Sequence, residues 1–225
     1  MCRDGNAKSL LRCQSGLFLI HIAHSARSSV VEHPSDKGKA ESSILSARTM
    51  ATLIFGIGIP GSGKTTILKK IAEENSFTYI SPDSIRLAKL GSEIDHSTDK
   101  EIWRIARTRA ASALEAGQIV VFDSTFSNKD RRVRFIKAAR EWGATAIEGL
   151  FFDLLLDEVL KRNTARGDGG DKRVSDEYLQ QAYAELVQCP PAPEEGFDAL
   201  VHMDKDGHKT EMRTIQGSIL LKHLL

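Results

Sequence analysis

From Met50 onward the apolar and polar positions fall into short blocks of two alternating textures. Leu53-Ile54-Phe55-Gly56-Ile57 and Ile119-Val120-Val121-Phe122 are continuous apolar runs. Strands buried on both faces of a parallel sheet read this way. Residues 77–80, 144–152 and 199–203 supply three further strand candidates. Between these runs the spacing changes to that of helices. Residues 65–74 follow the first run, and 84–90 form a shorter stretch closed by Gly91. Thr98-Asp99-Lys100-Glu101 has the form of a capping box. It opens a helix on which Ile102, Ile105, Ala106, Ala110, Ala113 and Leu114 share one face, with Gly117 as the stop. Asn128 is placed to cap a basic helix over 129–142, with Val133, Ile136 and Trp142 inward and Gly143 at its end. Residues 156–166 read as helix, 167–172 as a flexible glycine-rich loop, and Ser175 as the cap of a helix reaching Val187. Cys189-Pro190-Pro191-Ala192-Pro193 breaks that helix, and Asp206-Gly207 signals a hairpin running on to Ile215. Strands alternating with helices predict an α/β fold, a mostly parallel sheet of about five strands with helices on both faces.

The first 49 residues lack such a pattern. Up to Arg48 there are seven Lys and Arg against four Asp and Glu, a net of +3 that leaves −2 for the rest of a chain whose total is +1. The apolar patch Leu17-Phe18-Leu19-Ile20 is too short for a secretory signal, and Asp4, Glu32, Asp36 and Glu41 argue against a transit peptide. The stretches 26–33 and 42–49 resemble the peptide read from a wrongly translated transfer-RNA gene. The expectation is a domain over 50–225 that starts at Met50, with 1–49 either a product of gene calling or a disordered tail.

Composition narrows the class. At 225 residues the chain can bury one ordinary α/β core. Net charge near zero gives no bulk argument for nucleic acid, and no apolar run is long enough to span a bilayer, so no membrane partner is expected. Cys2, Cys13 and Cys189 have neither metal-ligand spacing nor an even-numbered framework, which fits a reduced, cytoplasmic setting.

The chemistry concentrates at strand ends. Gly58-Ile59-Pro60-Gly61-Ser62-Gly63-Lys64-Thr65 fits G-x-x-x-x-G-K-[ST] between a strand and a helix. In such a loop the backbone N–H groups turn toward phosphate oxygens, the lysine reaches the β- and γ-phosphates, and the hydroxyl of Thr65 holds Mg2+. Asp123 ends the third run, where an acidic residue organises Mg2+ or, in the plainer reading, caps a turn. Asp83, after the second run, is either a base for an attacking hydroxyl or a helix N-cap; Arg86 either grips an anionic acceptor or lies on the surface. Arg162 and Arg166, four apart, share a helix face ahead of the glycine-rich loop, either as cations of a closing lid or as a solvated face. The basic helix 129–142 either tracks a nucleic-acid backbone or is the outer face of an amphipathic helix.

With these words placed, the chain from Met50 to about Asp204 resembles the P-loop kinases related to the phage polynucleotide 5′-kinase domain, a group close to zeta-toxin-like kinases and other AAA-type ATP-binding kinases. The matching words are G-x-P-G-S-G-K-T (58–65), S-x-D-x-x-R (81–86), D-x-T (123–125) followed by Arg131-Arg132, K-R-N-x-x-R-G (161–167) and P-x-x-E-E-G-F-D (191–198). The resemblance implies a three-layer P-loop NTPase fold with a helical lid and a phosphotransferase using ATP and Mg2+. It implies catalytic roles for Lys64, Asp83 and Arg166, nucleotide binding by 58–65 together with Thr66 and Arg162, acceptor binding by Asp83 and Arg86, and a metal held by Thr65 and Asp123. The group often carries Asn after D-x-T, where this chain has Phe126. The implied acceptor is a hydroxyl such as a nucleic-acid 5′ end. A small-molecule or nucleotide kinase and an ATP-hydrolysing switch are the other readings, and oligomeric state is left open.

Overall fold

The computed structural model describes residues 51–91, 97–168, 173–204 and 209–214. In chain order these form β1 (Thr52–Ile57), α1 (Lys64–Asn75), β2 (Thr78–Ile80), α2 (Pro82–Leu90), α3 (Asp99–Glu115), β3 (Ile119–Phe122), α4 (Lys129–Glu141), β4 (Ala146–Phe152), α5 (Leu156–Asp168), α6 (Asp176–Gln188), a 3-10 turn (Pro193–Glu195), β5 (Ala199–Met203) and β6 (Lys209–Thr214). The sheet order is β2-β3-β1-β4-β5-β6. The first five strands are parallel, and β6 adds to the edge antiparallel to β5. The architecture is the expected three-layer α/β one. The hairpin after β5 is present; its Asp206-Gly207 turn and Ile215 lie outside the described residues, as do 1–50.

Every residue of β1 is buried, because β3 and β4 flank it and helices cover both faces. The register pairs Phe55 with Phe122 and Ile80 with Phe122, so β2 and β3 end level and β1 runs two residues further, to Ile57. The glycine loop, Ser81 and Asp123 leave the sheet together at that carboxyl edge, where ligands of such sheets bind. An aromatic cluster fills the space below. Phe126 packs 4.9 Å from Phe55 and 4.8 Å from Phe135, and Phe122 lies 4.7 Å from Phe135, centroid to centroid.

Four local expectations are corrected. The Thr98 capping box does not form: the Thr98 hydroxyl is buried with no partner, and the Glu101 side chain pairs instead with Lys89 on α2. A tertiary ion pair has displaced the local cap. Helix α2 starts two residues early, at Pro82, with the Ser81 side chain accepting from Ser84 N at 3.3 Å. Proline suits that first helical position, and Asp83 is a first-turn residue rather than the cap. On α4 Val133 is exposed while Arg132 is buried beside Phe135, Ile136 and Ala139. A buried acidic partner, Glu195, makes that inversion tolerable. Helix α5 continues through Gly167 and Asp168, so the glycine-rich loop starts later than expected; 169–172 lie outside the described residues. By contrast Asn128 and Ser175 cap α4 and α6 as read, accepting from Arg131 N and Tyr178 N.

Candidate active site

The glycine loop is held in place by its neighbours. Gly58 N donates to Thr125 O at 3.0 Å, joining the loop to the segment after β3. A Cβ on Gly58 would sit 3.0 Å from Phe152 O, at a φ of 150°. Gly63 precedes α1 at a left-handed φ of 93°, which glycine adopts without steric cost. From there α1 points its first N–H groups into the loop, an anion-binding arrangement.

Lys64 folds back into that loop. Its Nζ donates to Ile59 O at 2.8 Å and lies 3.3 Å from Ser62 Oγ. Burial lowers its pKa to about 8; the charges of Asp123 and Asp83 oppose the shift, and Arg166 adds to it. Asp83 and Arg166 therefore lie within electrostatic reach of the ammonium. Ile59 is buried in the core while Pro60 and Gly61 are partly exposed, and Thr65 and Thr66 are exposed at the start of α1.

Thr65 Oγ1 donates to Asp123 Oδ2 at 2.7 Å. Asp123 is buried, and its backbone N donates to Ile80 O at 2.9 Å. A hydroxyl against a carboxylate at the foot of a phosphate loop is hard-oxygen chemistry. It suits Mg2+, which takes one or two protein oxygens and completes its shell from water and phosphate. Among the described residues no group of three or more His, Cys, Asp or Glu gathers to make a protein-only metal cage. The residues therefore fit a metal that arrives with phosphate.

Asp83 and Arg86 occur one turn apart on α2. Arg86 is buried and donates to Asp83, and its Nη2 and Nε donate to Asp99 Oδ1 at 2.7 and 3.2 Å. Burial opposes its charge, but the hydrogen bonds it donates to Asp99 and Asp83 outweigh this and raise the guanidinium above its usual pKa. Arg86 thus holds Asp83 from behind, and the Asp83 side chain remains 57% exposed. The sequence reading turned both residues toward the site; in the fold Asp83 is exposed and Arg86 is buried behind it.

Arg162 and Arg166, the two arginines expected of a lid, differ in their surroundings. Arg162 Nε donates to Glu158 Oε1 at 3.1 Å along α5, and Arg166 is exposed one turn on. Buried Asn163 fastens the base of this region: its Nδ2 donates to Val174 O at 2.7 Å and its Oδ1 accepts from Val174 N at 3.0 Å. That single side chain pins α5 to the start of α6.

Sequence reasoning missed three groups. Arg132 and Glu195 form a fully buried ion pair, with Nε and Nη2 each 2.7 Å from a carboxylate oxygen. Arg132 also donates to Phe126 O, Ser127 O and Cys189 O. It thereby fixes the loop between Asp123 and α4. Both residues stood inside the matching words, but nothing local said that they meet. Ser127 Oγ donates to Glu185 Oε2 at 2.6 Å, tying the same loop to α6. Tyr79 donates from its hydroxyl to Asp123 Oδ2 at 2.8 Å. Burial and then the Asp123 charge push this phenol far above its usual pKa, so it stays protonated. Phe126 adopts a φ of 47°, a left-handed conformation in which Asn is enriched and Phe is uncommon. The aromatic cluster around it supplies the compensation.

No helix among the described residues is long and apolar enough to cross a membrane. A family model described as an AAA domain matches residues 53–188, more than half of the chain. Among solved structures, a chain of the Pnkp1/Rnl/Hen1 RNA repair complex is 21% identical with a TM-score of 0.56, over 75% of this chain and 50% of that one. This chain thus spans about half the length of that relative. A protein from Chloroflexus aurantiacus described as a candidate kinase is also 21% identical, with a TM-score of 0.55 over 69% of this chain and 85% of that one. A sugar kinase from a Janibacter species is 20% identical, with a TM-score of 0.50 over 69% and 86%. At these identities the likeness is one of fold. With the phosphate loop, the strand order and the match over 53–188 in view, the chain belongs to the AAA domain family and shares the P-loop fold of these structures.

Proposed function

We propose that this protein transfers the γ-phosphate of ATP, with Mg2+, to a hydroxyl acceptor, and that the acceptor is the 5′-OH of a polynucleotide. The observation that carries the reading is Asp83. Its carboxylate is exposed, is anchored by buried Arg86, and acts electrostatically on Lys64. A switch that only hydrolyses ATP has no use for a carboxylate held on the acceptor side; a kinase does.

In this mechanism Lys64 and the 58–65 backbone bind the β- and γ-phosphates, and Thr66 and Arg162 complete the donor side. Asp83 accepts the proton of the acceptor hydroxyl as it attacks. Arg86, held by Asp99, keeps that carboxylate in place from behind. Arg166 comes from the lid to the transferred group. Thr65 and Asp123 would hold Mg2+, which neutralises charge on the phosphates. Positioning and charge, rather than covalent chemistry, carry most of such a reaction.

The polynucleotide acceptor is supported by the motif words and by the fold shared with a component of an RNA repair complex. A second reading rests on Arg86. Its guanidinium is engaged by two carboxylates, which fits an uncharged small-molecule acceptor better than a phosphate-bearing one. The sugar kinase with this fold belongs to that class by name.

Transfer of labelled γ-phosphate to 5′-OH DNA, 5′-OH RNA, nucleosides and sugars separates the readings. The expected result is labelling of an oligonucleotide, with Asp83→Asn lowering kcat by about 100-fold while the KM for ATP holds. Labelling of sugars with oligonucleotides untouched removes the polynucleotide acceptor. Full activity in Asp83→Asn removes the base. Arg86→Ala should lower kcat along with raising the acceptor KM, because it also releases Asp83.

A further inference from the structure

Two hydroxyls converge on one oxygen of Asp123. Thr65 Oγ1 reaches Oδ2 from the glycine loop at 2.7 Å, and the Tyr79 hydroxyl reaches the same Oδ2 from β2 at 2.8 Å. The first is the expected partnership of a P-loop threonine with a strand-end acid. The second comes from a residue that no motif word contains. Tyr79 precedes Ile80 on β2, beside β3, whose end carries Asp123. Two residues on, the Ser81 side chain caps α2, the helix that bears Asp83. The phenol is therefore fixed on the acid of the phosphate loop, at the point where β2 passes into that helix.

Packing alone does not ask for that hydroxyl. Tyr79 is half-buried, with the Lys69 ammonium 5.9 Å from its ring centroid. A phenylalanine would fill the same space. What the hydroxyl adds is a second donor to Oδ2. A carboxylate that accepts two bonds on one oxygen has its torsion fixed and its other oxygen left for water or metal. Such outer partners orient ligands and tune metal affinity.

We propose that Tyr79 is a positioning residue for the metal: its hydroxyl locks the Asp123 carboxylate in the orientation that Mg2+ binding requires. The proposal rests on the Mg2+–ATP reading given above, but on no particular acceptor. Thr65 and Asp123 are the residues that would touch the metal; Tyr79 acts through Asp123.

The test is Tyr79→Phe in the full chain, read as Mg2+-dependent binding of a fluorescent ATP analogue, with no acceptor present. The Mg2+ concentration for half-maximal enhancement of binding should rise about 10-fold. Binding of the analogue in EDTA and the melting temperature should stay as in the native protein. Asp123→Asn should shift the Mg2+ midpoint by itself, and adding Tyr79→Phe to it should shift it no further. A midpoint within 2-fold of native in Tyr79→Phe overturns the proposal. So does a full additional shift in the double variant, and so does an equal loss of metal-free binding, which marks general loosening. If the native protein labels no hydroxyl acceptor yet shows this Mg2+ pattern, the kinase reading fails while the Tyr79 assignment stands.

Discussion

Replacing Arg132 by methionine tests whether the loop that carries Asp123 is fixed by a buried charge. Arg132 is fully buried, and the Glu195 side chain is 2% exposed. The substitution fills much of the same volume but leaves the Glu195 carboxylate uncompensated in the core. It also leaves the carbonyls of Phe126, Ser127 and Cys189 without this donor. Breaking one side of a buried pair costs about 3–5 kcal/mol. For a domain of this size each kcal/mol is worth about 2–4 °C, so the melting temperature should fall by roughly 6–20 °C. The assay is urea unfolding followed by the fluorescence of Trp103 and Trp142, both packed against the core. Arg132→Met/Glu195→Leu should regain most of the loss, because it removes the stranded charge along with its partner. Salt between 0.1 and 1 M should change the cost little, since the pair is shielded from solvent. A cost under about 1 kcal/mol for Arg132→Met, the range of a surface pair, would refute the reasoning. So would a double variant no more stable than the single one.

Lys64→Met should abolish transfer by at least about 100-fold while the melting temperature holds or rises, because it removes a buried ammonium whose pKa burial has lowered to about 8; transfer rate and calorimetry check the two halves. Phe126→Asn relieves a left-handed Phe but takes a ring out of the cluster with Phe55, Phe122 and Phe135, so it should destabilise by about 3 kcal/mol in urea; an unchanged midpoint would show that the backbone conformation, not the ring, governs this position. Gly149→Ala places a Cβ 2.7 Å from Phe197 and 2.9 Å from Leu200, and overpacking of this kind should cost about 1–3 kcal/mol by the same unfolding assay.

The sequence by itself determined the parallel strands and the place of the glycine loop between β1 and α1. Short continuous apolar runs bounded by turn residues read as strands buried on both faces, and the G-x-x-x-x-G-K-T word marks the turn from such a strand into a helix. Both are local consequences of backbone geometry, so β1, β3, the loop and the strand-end position of Asp123 were legible in one dimension. So were the Asn128 and Ser175 caps, whose partners lie three residues away. What required the tertiary structure were interactions between residues far apart in the chain. Arg132 and Glu195 are 63 positions apart, and an isolated reading of α4 could only assign its charges to the solvent. Thr98 lost its local cap because Glu101 found Lys89, 12 positions away. The hold of Asp99 on Arg86 was not readable either, because 13 positions separate the two. Tyr79 looked like an ordinary strand residue until β2 was laid beside β3. Hydrophobic period and turn chemistry are written along the chain, whereas the partner of a buried polar group is chosen by the fold, and in this protein those partners orient the site.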